Sequence, residues 1–233
     1  MLKAVARLFS YLFHPLLLLT YLLLIVMNVN PYLFGSTDFS WHSLTLIQIF
    51  FSTALLPGVA IIVMERLGII ASLGMHDKQE RIGPYIVSGI FYLWIFVNVQ
   101  DNGEIPLAYR AFVLAATIAL FLSFLINLVQ KVNIYAVAAG VFLSAVIVML
   151  ATFNYTLINM TTVLILAILV TGLIGTVQLI LHYDQGPEIA LSVDGELDED
   201  SETVEREIQP IDIYGGYLIG FVAMTIAIFF MFQ

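Results

Sequence analysis

Residues that could do chemistry are few in this chain and stand at the ends of apolar stretches. The last stretch opens with Asp212 in IQPIDIYGGYLIG, and His182 lies four residues after Gln178 in VQLILHYD. Four residues are about one helical turn, and a histidine near a carboxylate such as Asp184 can transfer protons. The sequence assigns no catalytic residue on this basis, and His182 and Asp184 remain candidates for a rearranged site. The alternative is that His182 lies at the membrane interface, where amphipathic side chains are favoured.

A compact turn of mixed charge precedes Pro84 in MHDKQERIGPY. It carries Lys78 and Arg81, whose side chains could contact lipid headgroups at the membrane surface. The same two cations could instead determine the topology and form local ion pairs with Asp77 and Glu80. We favour the structural role.

The sequence predicts no metal site and no cofactor. His14, His42 and His76 stand apart, with none of the ligand spacing of an HxxxH helix, and cysteine is absent. The acidic segment DGELDEDSETVE does not place its oxygen ligands at the spacing of an EF-hand loop.

The elements that must position these residues are membrane helices. Of the 233 residues, 61% are hydrophobic and only 11% are charged, whereas about a quarter of the residues in soluble domains are charged. A span needs roughly 20 apolar residues, and its backbone must be helical because the membrane core offers no water to satisfy it. The sequence predicts an all-α polytopic bundle, a single integral membrane domain over 1–233, with seven spans at 12–29, 44–64, 84–99, 110–130, 134–153, 160–182 and 213–232. The third span is the shortest, and six remain if it does not cross.

The N-terminal segment allows two interpretations. Residues 2–13 could form a separate helix lying on the bilayer before Pro15, because four apolar residues share one helical face: Leu2, Val5, Phe9 and Leu12. The alternative is a simple continuation of the first span.

Small residues and one proline predict how the helices pack. Gly216 and Gly220 form a GxxxG pattern, which lets helix backbones approach closely in a membrane. We favour ordinary packing within the chain, with dimerisation as the alternative. Pro57 in TALLPGVA is expected to kink the second span.

Charge predicts the orientation of the chain and its partners. If the ends of the seven spans alternate between two sides, seven Lys and Arg residues fall on one side and only Arg110 on the other. The positive-inside rule then places the N-terminus in the cytoplasm. Ten of the seventeen Asp and Glu residues lie between Asp184 and Glu207, which predicts a mobile acidic loop at 184–209 between the last two spans. Its segment Asp194–Glu207 could dock a basic protein partner, and no basic surface for nucleic acid is present.

Four stretches together resemble one group of bacterial integral membrane proteins. They are YLFHPLLLLTY, LLPGVAIIVMERLGIIASLGMHDKQERIGPYIVSGIFYLW, FLSFLINLVQKVNIYAVAAG, and GLIGTVQLIL with IQPIDIYGGYLIG. They are similar to a branch of the phosphatidic acid phosphatase type 2 superfamily, the lipid phosphatases, over most of the chain outside the acidic loop. The resemblance implies a lipid-phosphatase-like fold in the bacterial cytoplasmic (inner) membrane.

The resemblance also implies a phosphate site, carried over residue by residue. Lys131 matches the family lysine, and Asp212 matches the carboxylate that orients the nucleophile. Tyr135 stands where the family has its proton-donating histidine, Gln178 where it has an arginine, and Ile208 where it has the nucleophilic histidine. Isoleucine has no lone pair with which to attack phosphorus, and tyrosine is a poorer proton donor than histidine near pH 7. The resemblance therefore implies a vestigial site in a pseudoenzyme.

We expect a non-catalytic membrane protein that acts as a scaffold or accessory subunit, with the lipid bilayer and a protein at the acidic loop as its partners. One alternative is an active lipid or isoprenoid phosphatase with a rearranged site of Lys131, His182 and Asp184. A transporter component is a second alternative, which the near absence of ionisable residues within the spans disfavours. Sites of the family usually face away from the cytoplasm, whereas the charge count places Lys131 and Asp212 on the cytoplasmic side, so these two inferences conflict.

Overall fold

Every regular element in the described residues is helical, because a backbone in a membrane must satisfy its own hydrogen bonds. The computed structural model describes residues 2–35, 39–75, 79–130, 132–153, 156–182 and 210–232. A 3-10 turn at Pro31–Phe34 follows α2, and a π turn at Phe51–Leu55 joins α3 to α4. The α-helices in chain order are α1 (Leu2–Leu12), α2 (Pro15–Val29), α3 (Phe39–Phe50), α4 (Leu56–Arg66), α5 (Ile82–Gln100), α6 (Leu107–Asn127), α7 (Ile134–Thr152), α8 (Met160–His182) and α9 (Pro210–Met231).

Six of the described segments are long and apolar enough to cross a membrane. They are Ser43–Arg66, Ile82–Gln100, Leu107–Asn127, Ile134–Thr152, Met160–Leu181 and Ile211–Met231. α1 and α2 add a seventh if this bent pair is counted as one broken span. The helices form a multi-pass membrane bundle, as the composition predicts.

The third predicted span is longer than the sequence indicated. It is a continuous helix of 19 residues, α5, which begins at Ile82 rather than after Pro84. Proline is tolerated in the first turn of a helix, because its missing N–H has no partner there in any case. The first span, rather than the third, is the one whose crossing depends on how a bent helix pair is counted.

α1 and α2 are separate helices whose axes meet at a bend of 59°. At the bend, His14 has an extended backbone, and its Nδ1 accepts a hydrogen bond from the Leu16 N–H at 3.4 Å. Pro15 begins α2, because the fixed φ of proline suits the first helical position. The structure therefore favours a separate N-terminal helix over a continuation of the first span.

The exposed apolar face of α1 differs from the predicted one. Val5, Leu8 and Leu12 are exposed, whereas Phe9 is half-buried. The ring of Phe9 packs on that of Phe13 one turn later, with centroids 4.4 Å apart. Phe9 is therefore not part of the exposed apolar face of α1, and Leu8 is.

Pro57 is accommodated without breaking the second span. In the π turn directly before it, the Leu56 N–H bonds to the Phe51 carbonyl five residues back, and the span continues from Ser43 to Arg66. A proline leaves one carbonyl of the preceding turn without its usual donor, and a wider turn redistributes these bonds. The structure therefore shows a π turn before Pro57, in a span that continues through the proline.

α9 lies against α7 along a line of glycines that we call the α7–α9 seam (Ala136, Gly140, Val141, Gly216 and Gly220). A Cβ placed on Gly216 would lie 2.7 Å from the Ala136 Cβ, and one on Gly220 would lie 2.5 Å from the Val141 nitrogen. Such distances are shorter than van der Waals contact. The favoured interpretation of the GxxxG pattern is confirmed, because its glycines admit another helix of the same chain.

Different segments of the chain meet at the two ends of the bundle. One end, which we call the α1 end, brings together α1, residues 73–75, residues 132–135 and the C-terminal part of α8. At the opposite end the Leu157 N–H donates to the Val29 carbonyl at 2.7 Å, which ties the end of α2 to the α7–α8 connection. α2 therefore runs from the α1 end to the opposite end.

Candidate functional site

A cavity of about 830 Å³ opens at the α1 end of the bundle. Its cationic lining residues are Lys3, Arg7 and Arg81, and we call it the basic cavity. Its deeper wall is apolar and comes mainly from α2, α6 and α7: Leu18, Leu19, Leu22, Ala116, Ala119, Val141 and Phe142. A charged mouth and an apolar interior therefore belong to one space.

α1 directs its polar face into this cavity. Lys3, Arg7 and Ser10 line the cavity, and their spacing of four and three residues places them on one side of the helix. The apolar residues Val5 and Leu8 are 62% and 70% exposed on other sides of α1. This arrangement is the reverse of that in a soluble protein, and it suits a helix with lipid outside and a polar cavity inside.

Ser10 joins α1 to the bundle. The Gln178 Nε2 donates to the Ser10 Oγ at 3.3 Å, and the Tyr135 phenol is also a hydrogen-bond partner of Ser10. The Gln178 side chain is only 2% exposed, and α1 packs on α8. The His14 ring lies edge-on to that of Tyr135, with centroids 5.6 Å apart. We call Ser10, Tyr135 and Gln178 the serine junction.

Arg81 reaches the cavity from the start of α5. Its Nε donates to the Met75 carbonyl at 2.9 Å and its Nη1 to the Val132 carbonyl at 3.4 Å. Glu80, beside it, accepts from the Ala71 N–H at 3.0 Å. These bonds hold the loop before α5 against the start of α7, which is a structural role. Arg81 also lines the cavity, so the alternative headgroup role is compatible with its position.

Asp212 lies away from the basic cavity lining. It is 6% exposed in the first turn of α9 and accepts from the Gln130 Nε2 at 3.0 Å. A carboxylate is favourable at a helix N-terminus because of the helix dipole. Of the expected vestigial residues, the structure brings Tyr135 and Gln178 together and places Asp212 with Gln130.

Several candidates that the sequence predicts fall outside the described residues. They are Lys78, Lys131, Asp184, Ile208 and the acidic segment Asp194–Glu207. For His182 the structure describes only the helix that it ends.

The geometry of the basic cavity suits the binding of an anion. Of the described residues that line it, three are cationic and none is a carboxylate. The described part of the chain contains no cluster of three His, Asp or Glu side chains that could hold a metal ion. Hydrogen-bond donors with positive charge can hold phosphate oxygens. The described lining also contains one imidazole, that of His14, whose Nδ1 accepts from the Leu16 N–H.

The sequence interpretation missed the role of α1. Lys3 and Arg7 served only as topology signals, and Ser10 was given no role. The signal was present, because residues 3, 7 and 10 lie on one face of α1 and all three line the cavity.

The described helices and this cavity define a multi-pass helical membrane protein with a basic internal cavity. Comparison with protein-family models, curated proteins and solved structures finds no match to this chain.

Proposed function

We propose that this protein binds an amphiphile with an anionic headgroup of the phosphate class in the basic cavity and does not turn it over. The observation that carries the proposal is the distribution of charge. The chain has only eight Lys and Arg residues and a formal net charge of −9, yet three of the eight line one cavity. The headgroup would lie among these cations and the hydrocarbon part along the apolar wall.

Electrostatics favours an anion at this place. A positive charge attracts an anion more strongly next to apolar surroundings, where screening by water is weaker. None of the described lining residues is a carboxylate and three are cationic, so the described lining favours an anionic ligand. Arginine binds phosphate through a planar group of donors. Arg7 and Arg81 bring guanidinium groups to the cavity from two different elements, and Arg81 already donates through its Nε and Nη1 to backbone carbonyls.

The site residues support binding without catalysis. By the resemblance, Tyr135 and Gln178 stand where a lipid phosphatase has a histidine and an arginine, and here both make structural bonds to Ser10. The lipid-phosphatase-like fold and an accessory role through Asp194–Glu207 are parts of the same proposal.

The test is a binding titration of the purified protein in nanodiscs with dioctanoyl phosphatidate, compared with dioctanoyl phosphatidylcholine. We expect preference for phosphatidate and no phosphate release. Arg81→Gln should weaken phosphatidate binding about tenfold, because a charge-assisted hydrogen bond contributes roughly 1.5–3 kcal/mol. Arg7→Gln should weaken it by a smaller factor, since Arg7 is more exposed.

The matched control is Arg66→Gln. Arg66 is an exposed cation at the end of α4 that does not line the cavity, so its loss should leave binding unchanged. Equal affinity for both lipids, or equal effects of all three substitutions, would refute the proposal. Phosphate release that survives purification, and that His182→Ala abolishes, would establish the phosphatase alternative.

A further inference from the structure

A second cavity, of about 400 Å³, shares two lining side chains with the basic cavity. Leu18 of α2 and Phe142 of α7 line both spaces, and among the described residues they are the two that do so. The second space lies among α2, α7 and α8, and we call it the α2–α8 groove. Two side chains therefore separate a charged cavity from an apolar one.

The α2–α8 groove offers nothing to a polar ligand. Its lining is apolar except for Tyr21 and Asn28. The Tyr21 hydroxyl donates to the Leu12 carbonyl at 2.9 Å, and the Asn28 Nδ2 donates to the Leu24 carbonyl at 2.7 Å. With these donors engaged by the backbone, hydrocarbon is the chemistry that fits the groove.

The length of the groove matches a lipid chain. It extends along α2 from Leu18 to Val29, which is about 16 Å at 1.5 Å per residue. Half of a hydrocarbon core of about 30 Å is about 15 Å. A chain of the length found in bilayer lipids would therefore fill it, whereas an eight-carbon chain would not need it.

Resting on the proposed function, we infer that the α2–α8 groove holds the distal part of the hydrocarbon chain of the amphiphile whose headgroup lies in the basic cavity. The chain passes between Leu18 and Phe142, whose rotamers set the width of the passage. The protein thereby selects its ligand by chain length as well as by headgroup charge.

The test fills the groove from α8, away from the headgroup. Val163 and Val170 line the groove but not the basic cavity, and both are half-buried. Val163→Trp and Val170→Trp should each weaken binding of dipalmitoyl phosphatidate tenfold or more, and change binding of dioctanoyl phosphatidate less than twofold. Retained binding of the short-chain lipid shows in the same sample that the variant is folded.

The control is Leu169→Trp, since Leu169 is 63% exposed on α8 and lines neither cavity. It should leave both lipids unaffected. If neither groove variant distinguishes the two chain lengths, the groove inference is overturned, and the groove belongs to a surrounding bilayer lipid or to a partner helix. If the wild-type protein shows no preference for phosphatidate over phosphatidylcholine at either chain length, the proposed function itself fails, and the two failures are thus distinct.

Discussion

The α7–α9 seam and the serine junction hold helices together in opposite ways. In the seam, Gly220 of α9 lies so close to Val141 and Val137 that not even a methyl group fits between the backbones. At the junction, α1 is held on α8 through the Ser10 hydroxyl, which has polar partners on α7 and α8. Helices in lipid associate through close packing and through hydrogen bonds. The seam represents the first means and the serine junction the second.

The two regions differ in the volume that they leave for a ligand. The seam leaves no volume, whereas the region around α1 and α2 contains both cavities. Close-packed interiors respond to small changes in volume. We therefore expect changes in the seam to affect stability and changes at the junction to affect binding.

The largest effect should come from filling the seam. Gly220→Ala should lower the free energy of unfolding by about 3 kcal/mol, because its Cβ would meet the Val137 oxygen at 2.6 Å and backbone atoms cannot move aside easily. Gly215→Ala is the matched control, since no atom lies within 4 Å of its Cβ position. It should stabilise the helix slightly, as alanine favours helix over glycine. Thermal unfolding in detergent measures both, and similar melting temperatures for the two variants would contradict the seam.

A second effect should appear at the serine junction, in binding as well as in stability. Ser10→Ala removes a partner of the buried Gln178, which costs roughly 1–3 kcal/mol, and loosens the helix that carries Arg7. We expect phosphatidate affinity to fall five- to tenfold and Ser10→Thr to restore most of it, because threonine keeps the hydroxyl.

The positioning role of Ser10 is separable from direct contact with the ligand. In a background of Lys3→Gln and Arg7→Gln, Ser10→Ala should have little further effect, because both cations that α1 brings to the cavity are already absent. A full additional loss of affinity in the triple variant would show instead that Ser10 binds the ligand itself.

A smaller effect should follow from removing the hydrogen bond between α9 and α8. The Tyr217 hydroxyl donates to the Thr171 carbonyl, so Tyr217→Phe should reduce the free energy of unfolding by about 1 kcal/mol. Tyr214→Phe removes a hydroxyl from a side chain that is 72% exposed and should change nothing measurable. Phosphatidate affinity should be the same in both variants, and a drop in either would link α9 to the basic cavity.

The smallest effect should be that of Asp212→Asn. Asparagine keeps an oxygen that can accept from Gln130 and loses the negative charge at the start of α9, whose interaction with the helix dipole amounts to about 0.3–1 kcal/mol. Phosphatidate affinity should not change, because Asp212 does not line the basic cavity. A change in phosphatidate affinity would indicate instead that Asp212 belongs to the phosphate site that the resemblance implies.

Much of the fold could be predicted, because a membrane span is a property of local composition. The spans expected at 134–153 and 160–182 correspond closely to α7 and α8. α5 begins two residues before its predicted start at Pro84. The prediction treated this proline as a boundary, although a proline fits the first turn of a helix. The GxxxG pattern of α9 predicted a close approach, but no local signal identified α7 as the partner.

The site was less predictable. Arg81 was a candidate from its mixed-charge turn, and Tyr135 and Gln178 from the resemblance. Lys3 and Arg7 were missed because their chemistry depends on the direction of α1, and that direction depends on the bend at His14. The wall shared by Leu18 and Phe142 has no counterpart in the sequence at all, since the two residues are apolar like their neighbours.

Three properties follow from the amino-acid sequence alone: the chain forms membrane helices, one helix carries a face of small residues, and the charges are few and unevenly placed. These properties are local, because they depend on neighbouring residues and on the free energy of placing them in lipid. Which charges share a cavity depends instead on how the helices pack. Ser10 and Gln178 are 168 residues apart, and a contact at that separation depends on the packing of every helix between them.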